Sequence, residues 1–174
     1  MHDTQMVLQT IVHGILCRDN KLHYYQGFHD VCLVFLLILT PKPAFAACVQ
    51  TSRFYLRDAM SLTLGPVVQL LSLIYPLVGL EDKTLSDFFH QAESKPYFAL
   101  SWVITWFAHD VESRGVVERI YDFLISSHPL MPIYLSAAVS CVATFPTTTY
   151  NGSEFIYFFI LAGDFGTSGP HLGP

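Results

Sequence analysis

Tyr24, Tyr25, Gln26 and Gly27 run together, His29 and Asp30 follow at once, and an unbroken apolar stretch, 31–39, begins directly behind them. A glutamine amide is no strong base, but it donates and accepts at once, so it can hold a water molecule in a chosen direction. Glutamine performs that task in GTP hydrolysis. The competing reading is that Gln26 merely caps the helix behind it. These residues support both readings equally.

Other chemistry in the chain is weaker. Cys17, His23, His29 and Cys32 could be drawn as a zinc site, because His29 and Cys32 lie three apart on one helical face. Neither pair has the tight turn spacing of a finger, so buried thiols and hydrogen-bonded histidines are expected, with no metal. A Cys/His nucleophile pair lacks an orienting carboxylate and an oxyanion site. Asp164-Phe165-Gly166 spells the metal-binding tripeptide of kinases without their Gly-rich loop, strand lysine or catalytic loop. Asn151-Gly152-Ser153 fits a glycosylation acceptor. Both read as accidents of composition.

The elements that must position Gln26 follow from the spacing of apolar residues. Of 174 residues, 52% are hydrophobic and 13% charged, and the mean hydropathy is +0.41. The longest apolar run is about half of the roughly 20 residues needed to span a bilayer, so buried helices are expected rather than a transmembrane segment. The first residues make a poor signal peptide. Cys17, Cys32, Cys48 and Cys141 all lie in apolar surroundings without a CxxC spacing, which predicts buried thiols in a reducing compartment. A net charge of −5 with no basic stripe argues against nucleic acid as a partner.

Apolar positions recur at three and four residues, which predicts an all-α fold. Helices are expected over 3–18, 25–39, 45–52, 53–58, 66–75, 82–91, 97–109, 111–126 and 129–143. The second is expected to stop at Thr40-Pro41-Lys42-Pro43 and to turn Phe28, Leu33 or Val34, and Leu37 inward. Residues 144–174 change character and end in Gly, Ser and Pro, so they are expected to form a divergent tail, largely irregular or disordered, after a domain over 1–143.

Tyr24-Tyr25-Gln26-Gly27 with His29-Asp30 resembles the YxQG signature of TBC domains, the Rab GTPase-activating proteins. Phe98-Ala99-Leu100-Ser101-Trp102, leading into Thr105-Trp106-Phe107, resembles a second segment of the family. Arg119-Ile120-Tyr121-Asp122-Phe123-Leu124 is similar to its RIWDxFL segment, with Tyr for Trp. Together these stretches look closest to the branch associated with the endoplasmic reticulum, which carries a C-terminal membrane anchor. The resemblance covers about residues 3–143.

It implies a protein that is not itself the enzyme but lends catalytic residues to a Rab GTPase in membrane traffic, at endoplasmic reticulum or Golgi membranes. It implies no cofactor of its own, because the Rab carries GTP and Mg²⁺. A glutamine from YxQ, here Gln26, directs the attacking water, and an arginine from IxxDxxR neutralises charge on the transferred phosphate. Tyr24, Tyr25, Gly27, His29 and Asp30 are the implied supports of that glutamine. The arginine's position is empty: the motif lies well upstream of YxQ in the family, and Arg18 is the only arginine before Gln26. The family's RxxxW segment, closing helices and anchor are also missing. The chain is therefore expected to be the middle of a TBC domain, incomplete at both ends. The alternative function is a catalytically silent Rab-binding or scaffold fragment.

Overall fold

Helices whose apolar residues fall on one stripe must bury that stripe against one another. In a computed structural model describing residues 2–92 and 95–143, they do so without any strand among the described residues. The elements are α1 (His2–Arg18), α2 (Phe28–Ile38), α3 (Pro41–Phe54), α4 (Gly65–Leu71), α5 (Ile74–Glu81), α6 (Lys83–Gln91), a 3-10 turn (Tyr97–Ala99), α7 (Leu100–Thr105), α8 (Arg114–Ile125) and α9 (Met131–Ala143). The expected tail, with Asn151 and Asp164, lies outside the described residues.

α1, α2 and α3 pack on one another, α5 packs on α6 and α9, and α7 touches α2, α4 and α9, joining the two groups. α8 turns Val116, Val117, Ile120, Tyr121 and Leu124 inward. The Tyr121 ring meets Phe35 edge-on at 5.4 Å and Trp106 at 5.3 Å. Each large side chain buried there contributes about 1.5–3 kcal/mol. No helix among the described residues is long and apolar enough to cross a membrane.

Several boundaries differ from the expected ones for identifiable reasons. Pro41 and Pro43 open α3 rather than merely ending α2, because the first turn of a helix needs no N–H from its residues. The expected 45–52 and 53–58 helices are thus one helix that begins earlier and ends at Phe54. The expected 66–75 helix is broken into α4 and α5 around Ser72 and Leu73. Pro76 is the cause: deep in a helix its ring would clash with the Ser72 carbonyl, whereas in the first turn of α5 it is tolerated. Asp82 caps α6 as expected, its Oδ1 accepting the Leu85 N–H at 2.9 Å.

α2 buries Phe28, Val31, Cys32 and Phe35, at spacings of three and four. Leu33 and Val34 are partly buried. Leu37, expected inside, is exposed together with Ile38 and Leu39, because it lines an open groove that Val111 and Val117 border without closing.

Candidate functional site

The segment between α1 and α2 is tied down residue by residue. The Leu22 N–H donates to the Asp19 carbonyl at 3.1 Å and the His23 N–H to the Met60 carbonyl at 2.7 Å. The Tyr25 ring is buried, and its hydroxyl donates to the Ile104 carbonyl at 2.6 Å, across 79 residues of sequence. Burial raises the Tyr25 phenol well above its ordinary range, so it remains a donor. Tyr121, raised by burial in the same way, donates to the Thr105 carbonyl at 3.1 Å. Two buried phenols therefore hold the C-terminal end of α7.

Tyr25, Gln26, Gly27 and Phe28 form a tight turn closed by the Phe28 N–H donating to the Tyr25 carbonyl at 3.2 Å. Gly27 takes φ 108° and ψ −15°, the left-handed conformation that the third position of a type II turn requires. A Cβ on Gly27 would also stand 2.8 Å from Thr105 Cγ2. Conformation and close approach both demand glycine. Gln26 is left at the exposed second position, with its backbone anchored on both sides.

This corrects the expected helix over 25–39, since Tyr25 and Gln26 precede it and α2 begins at Phe28. A left-handed residue cannot continue a right-handed helix. The capping reading of Gln26 falls as well: Gly27 occupies the cap position and no side chain caps the helix.

The supporting polar residues form a chain of contacts around this turn. The Tyr24 hydroxyl lies 2.9 Å from His29 Nδ1, with the two rings stacked at 6.4 Å. His29 Nε2 lies 3.4 Å from Asp30 Oδ1, and His109 Nδ1 lies 3.3 Å from Asp30 Oδ2. The Tyr24 hydroxyl can donate to His29 Nδ1, and a His109 tautomer with its proton on Nδ1 donates to Asp30 Oδ2, while His29 Nε2 lies beside Oδ1. The Tyr24 phenol is raised by partial burial and by the nearby Asp30 charge.

Gln26 opens onto a cleft of about 450 Å³ whose walls are Tyr25, His29 and Asp30 on one side and Ser101, Thr105 and His109 on the other. Among the described residues, no Arg or Lys lines it. Tyr24 lies outside this cleft, in a neighbouring groove along α1 with Leu8 and Val12, and His29 borders both.

Ser101, Thr105 and His109 were not singled out as site residues by the sequence. The available signal was their spacing of four, a polar stripe in an otherwise apolar segment. Thr105 Oγ1 donates to the Ser101 carbonyl at 2.8 Å and accepts from the His109 N–H at 3.4 Å. The expected 97–109 helix nevertheless ends at Thr105, because Trp106 and Phe107 take left-handed φ values of 51° and 64°. Such residues cost about 1–3 kcal/mol each and persist only where packing over-determines them. Here both rings are buried, Trp106 against Tyr55 and Tyr121, and Phe107 against Trp102.

The drawn zinc ligands are not gathered. His29 is engaged with Tyr24 and Asp30, and Cys32 is buried beside Cys48. That neighbour's hydrogen bond, reinforced by burial, raises the Cys32 thiol. Cys17, expected to be buried, is exposed, with its sulfur 3.5 Å from His13 Nε2. It sits in the last turn of α1.

The Rab-GTPase-TBC domain family matches residues 2–143. The Bos taurus protein called TBC1 domain family member 20 is 41% identical over 135 residues, which is 78% of this chain and 34% of that protein. GTPase-activating protein gyp10 of Schizosaccharomyces pombe is 44% identical over 119 residues, 68% of this chain and 32% of its own length. GTPase-activating protein GYP8 of Saccharomyces cerevisiae is 24% identical over 149 residues, 69% of this chain and 30% of its own. The chain spans about a third of the length of the curated relatives it matches.

Proposed function

The chain belongs to the Rab-GTPase-TBC domain family, and from that premise we propose that it stimulates GTP hydrolysis by a Rab small GTPase, with Gln26 directing the attacking water. The observation that carries this is the placement of Gln26. It is exposed at the apex of a turn held at one end by the Tyr25 hydroxyl and closed by the Phe28 N–H donating to the Tyr25 carbonyl, with Gly27 fitted too closely to Thr105 to admit a Cβ. An amide lent to another protein's nucleotide must protrude and must already be ordered, because ordering it at the moment of reaction would subtract from the rate.

The chemistry asked of this chain is modest. The Rab brings GTP and Mg²⁺, and the amide orients water by accepting from it and donating to it. Positive charge opposite the transferred phosphate is the other requirement, and an arginine in that role is worth roughly 10³–10⁵ in rate. No I-x-x-D-x-x-R motif occurs in the chain, and among the described residues no Arg or Lys lines the cleft. These two observations favour a second reading, a Rab-binding segment with little acceleration by itself. The similarity of the 23–30 and 98–110 stretches to the endoplasmic-reticulum branch supports action at early secretory membranes.

The test is single-turnover hydrolysis of Rab-bound GTP with this chain, with the chain joined to an upstream segment carrying I-x-x-D-x-x-R, and with Gln26→Ala in each. Little acceleration is expected from the chain by itself, strong acceleration from the joined form, and loss of that acceleration in Gln26→Ala. A joined form indifferent to Gln26→Ala would overturn the role of the glutamine. Binding without acceleration in both forms would select the silent reading. A circular-dichroism melt of each variant separates either result from unfolding.

A further inference from the structure

We propose that His109 is a positioning residue for Gln26, holding the Asp30 carboxylate at the first turn of α2 and, through it, the turn that presents the amide. This rests on the reading that Gln26 acts on Rab-bound GTP, and it assigns a role to a residue 79 positions from Asp30.

The contacts bracket Gln26 from both sides. Tyr24, two residues before it, reaches His29, three residues after it. His29 leans on Asp30 Oδ1, and Asp30 Oδ2 is engaged by His109 at 3.3 Å. The Asp30 N–H donates to the Gly27 carbonyl at 3.0 Å, so the residue that His109 holds is bonded directly to the left-handed glycine of the turn. Without His109 the carboxylate would keep only its contact with His29, through Oδ1. With it, each oxygen of the Asp30 carboxylate faces an imidazole nitrogen.

A second, independent observation lies in the backbone. Two bulky residues, Trp106 and Phe107, are held in the left-handed region at the wall of the cleft. Their conformation ends α7 and folds the chain back, which brings His109 over the first turn of α2. Strain of this kind concentrates where a neighbouring group must be aimed. The His109 side chain is 66% exposed and the Asp30 side chain 22%. Exposed pairs of this kind add little to global stability. The consequence is therefore expected in the order of the turn and in the rate, not in whether the chain folds.

The test has two arms. In the chain alone, amide exchange at Phe28 is compared among the parent, His109→Leu and His109→Asn, since asparagine places an N–H where the histidine Nδ1 stands. His109→Leu is expected to speed exchange about 2–5-fold at an unchanged melting temperature, and His109→Asn to restore it. In the joined, arginine-supplied form with GTP-loaded Rab, His109→Leu is expected to lower kcat at unchanged KM, and to add no further loss in a Gln26→Ala background. Unchanged Phe28 exchange overturns the tether. A raised KM at constant kcat overturns positioning in favour of direct contact with the Rab. A loss that persists in full beside Gln26→Ala also overturns it. If no form accelerates hydrolysis, the underlying reading fails and this role falls with it. The exchange arm, read without any Rab, tells that failure apart from loss of the tether.

Discussion

Gly27→Ala tests whether the geometry beneath Gln26 is as demanding as it looks. At φ 108° a side chain meets the backbone sterics that exclude L-residues from left-handed space, a cost of roughly 1–2 kcal/mol. The added Cβ also meets Thr105 Cγ2 at 2.8 Å. Thr105 cannot swing aside easily, because it is β-branched, almost fully buried and pinned through its hydroxyl to the Ser101 carbonyl. Overpacking of that kind costs roughly 1–3 kcal/mol. The sum, about 2–5 kcal/mol, is a large share of the stability of a domain of this size. Urea denaturation of Gly27→Ala against the parent measures it. Repeating the comparison in a Thr105→Ser background removes the methyl and keeps the hydroxyl, so the cost should fall to about 1–2 kcal/mol, the backbone part alone. A Gly27→Ala variant within about 0.5 kcal/mol of the parent would refute the reasoning. Full recovery in the serine background would refute the backbone share, and no recovery would refute the steric share.

Three further outcomes are expected. Stability should fall at alkaline pH: Tyr25 and Tyr121 are raised by burial, so the folded state keeps protons that the unfolded state releases. Their contribution is complete below about pH 10 and is lost as pH rises further, at up to about 1.4 kcal/mol per unit for each tyrosine. Cys32, raised in the same direction, adds to the loss from about pH 9. Urea midpoints from pH 8 to 11 check this, and a slope undiminished by Tyr25→Phe would contradict it. Asp82→Ala should cost about 1 kcal/mol through the lost cap on the Leu85 N–H, with Asp82→Ser recovering most of it in the same denaturation assay. Gln26→Ala, at an exposed turn position, should leave the urea midpoint unchanged within about 0.5 kcal/mol. A destabilised Gln26→Ala would show that the amide holds the fold rather than reaching out of it.

The all-helical character of the described residues was legible in the chain because helix type depends on local spacing. Residues three and four apart share a face whatever lies beyond it, as in Phe28, Val31, Cys32 and Phe35 of α2. The α6 cap at Asp82 is local in the same way. The start of α3 at Pro41 and the break before Pro76 were local too, but proline marks both ends and beginnings, so a wrong choice between them was open. The cluster from Tyr24 to Asp30 stood out by residue type. The end of α7 at Thr105 carried no such mark, since neither glycine nor proline announces the left-handed Trp106 and Phe107.

Gln26, its glycine and its aromatic and acidic neighbours could be named from seven consecutive residues, and helix type from short-range periodicity. Their arrangement could not. The turn takes its shape from Tyr25 bonding to Ile104, from Gly27 lying close to Thr105, and from Asp30 meeting His109, 79 residues away. Which face of α2 is covered, and therefore that Leu37 faces out, depends on where α1, α3 and α7 come to rest. Spacing along a chain encodes which residues share a face. Only the packing of distant segments sets what each face meets, because contact energies depend on proximity in space and carry no trace in local order.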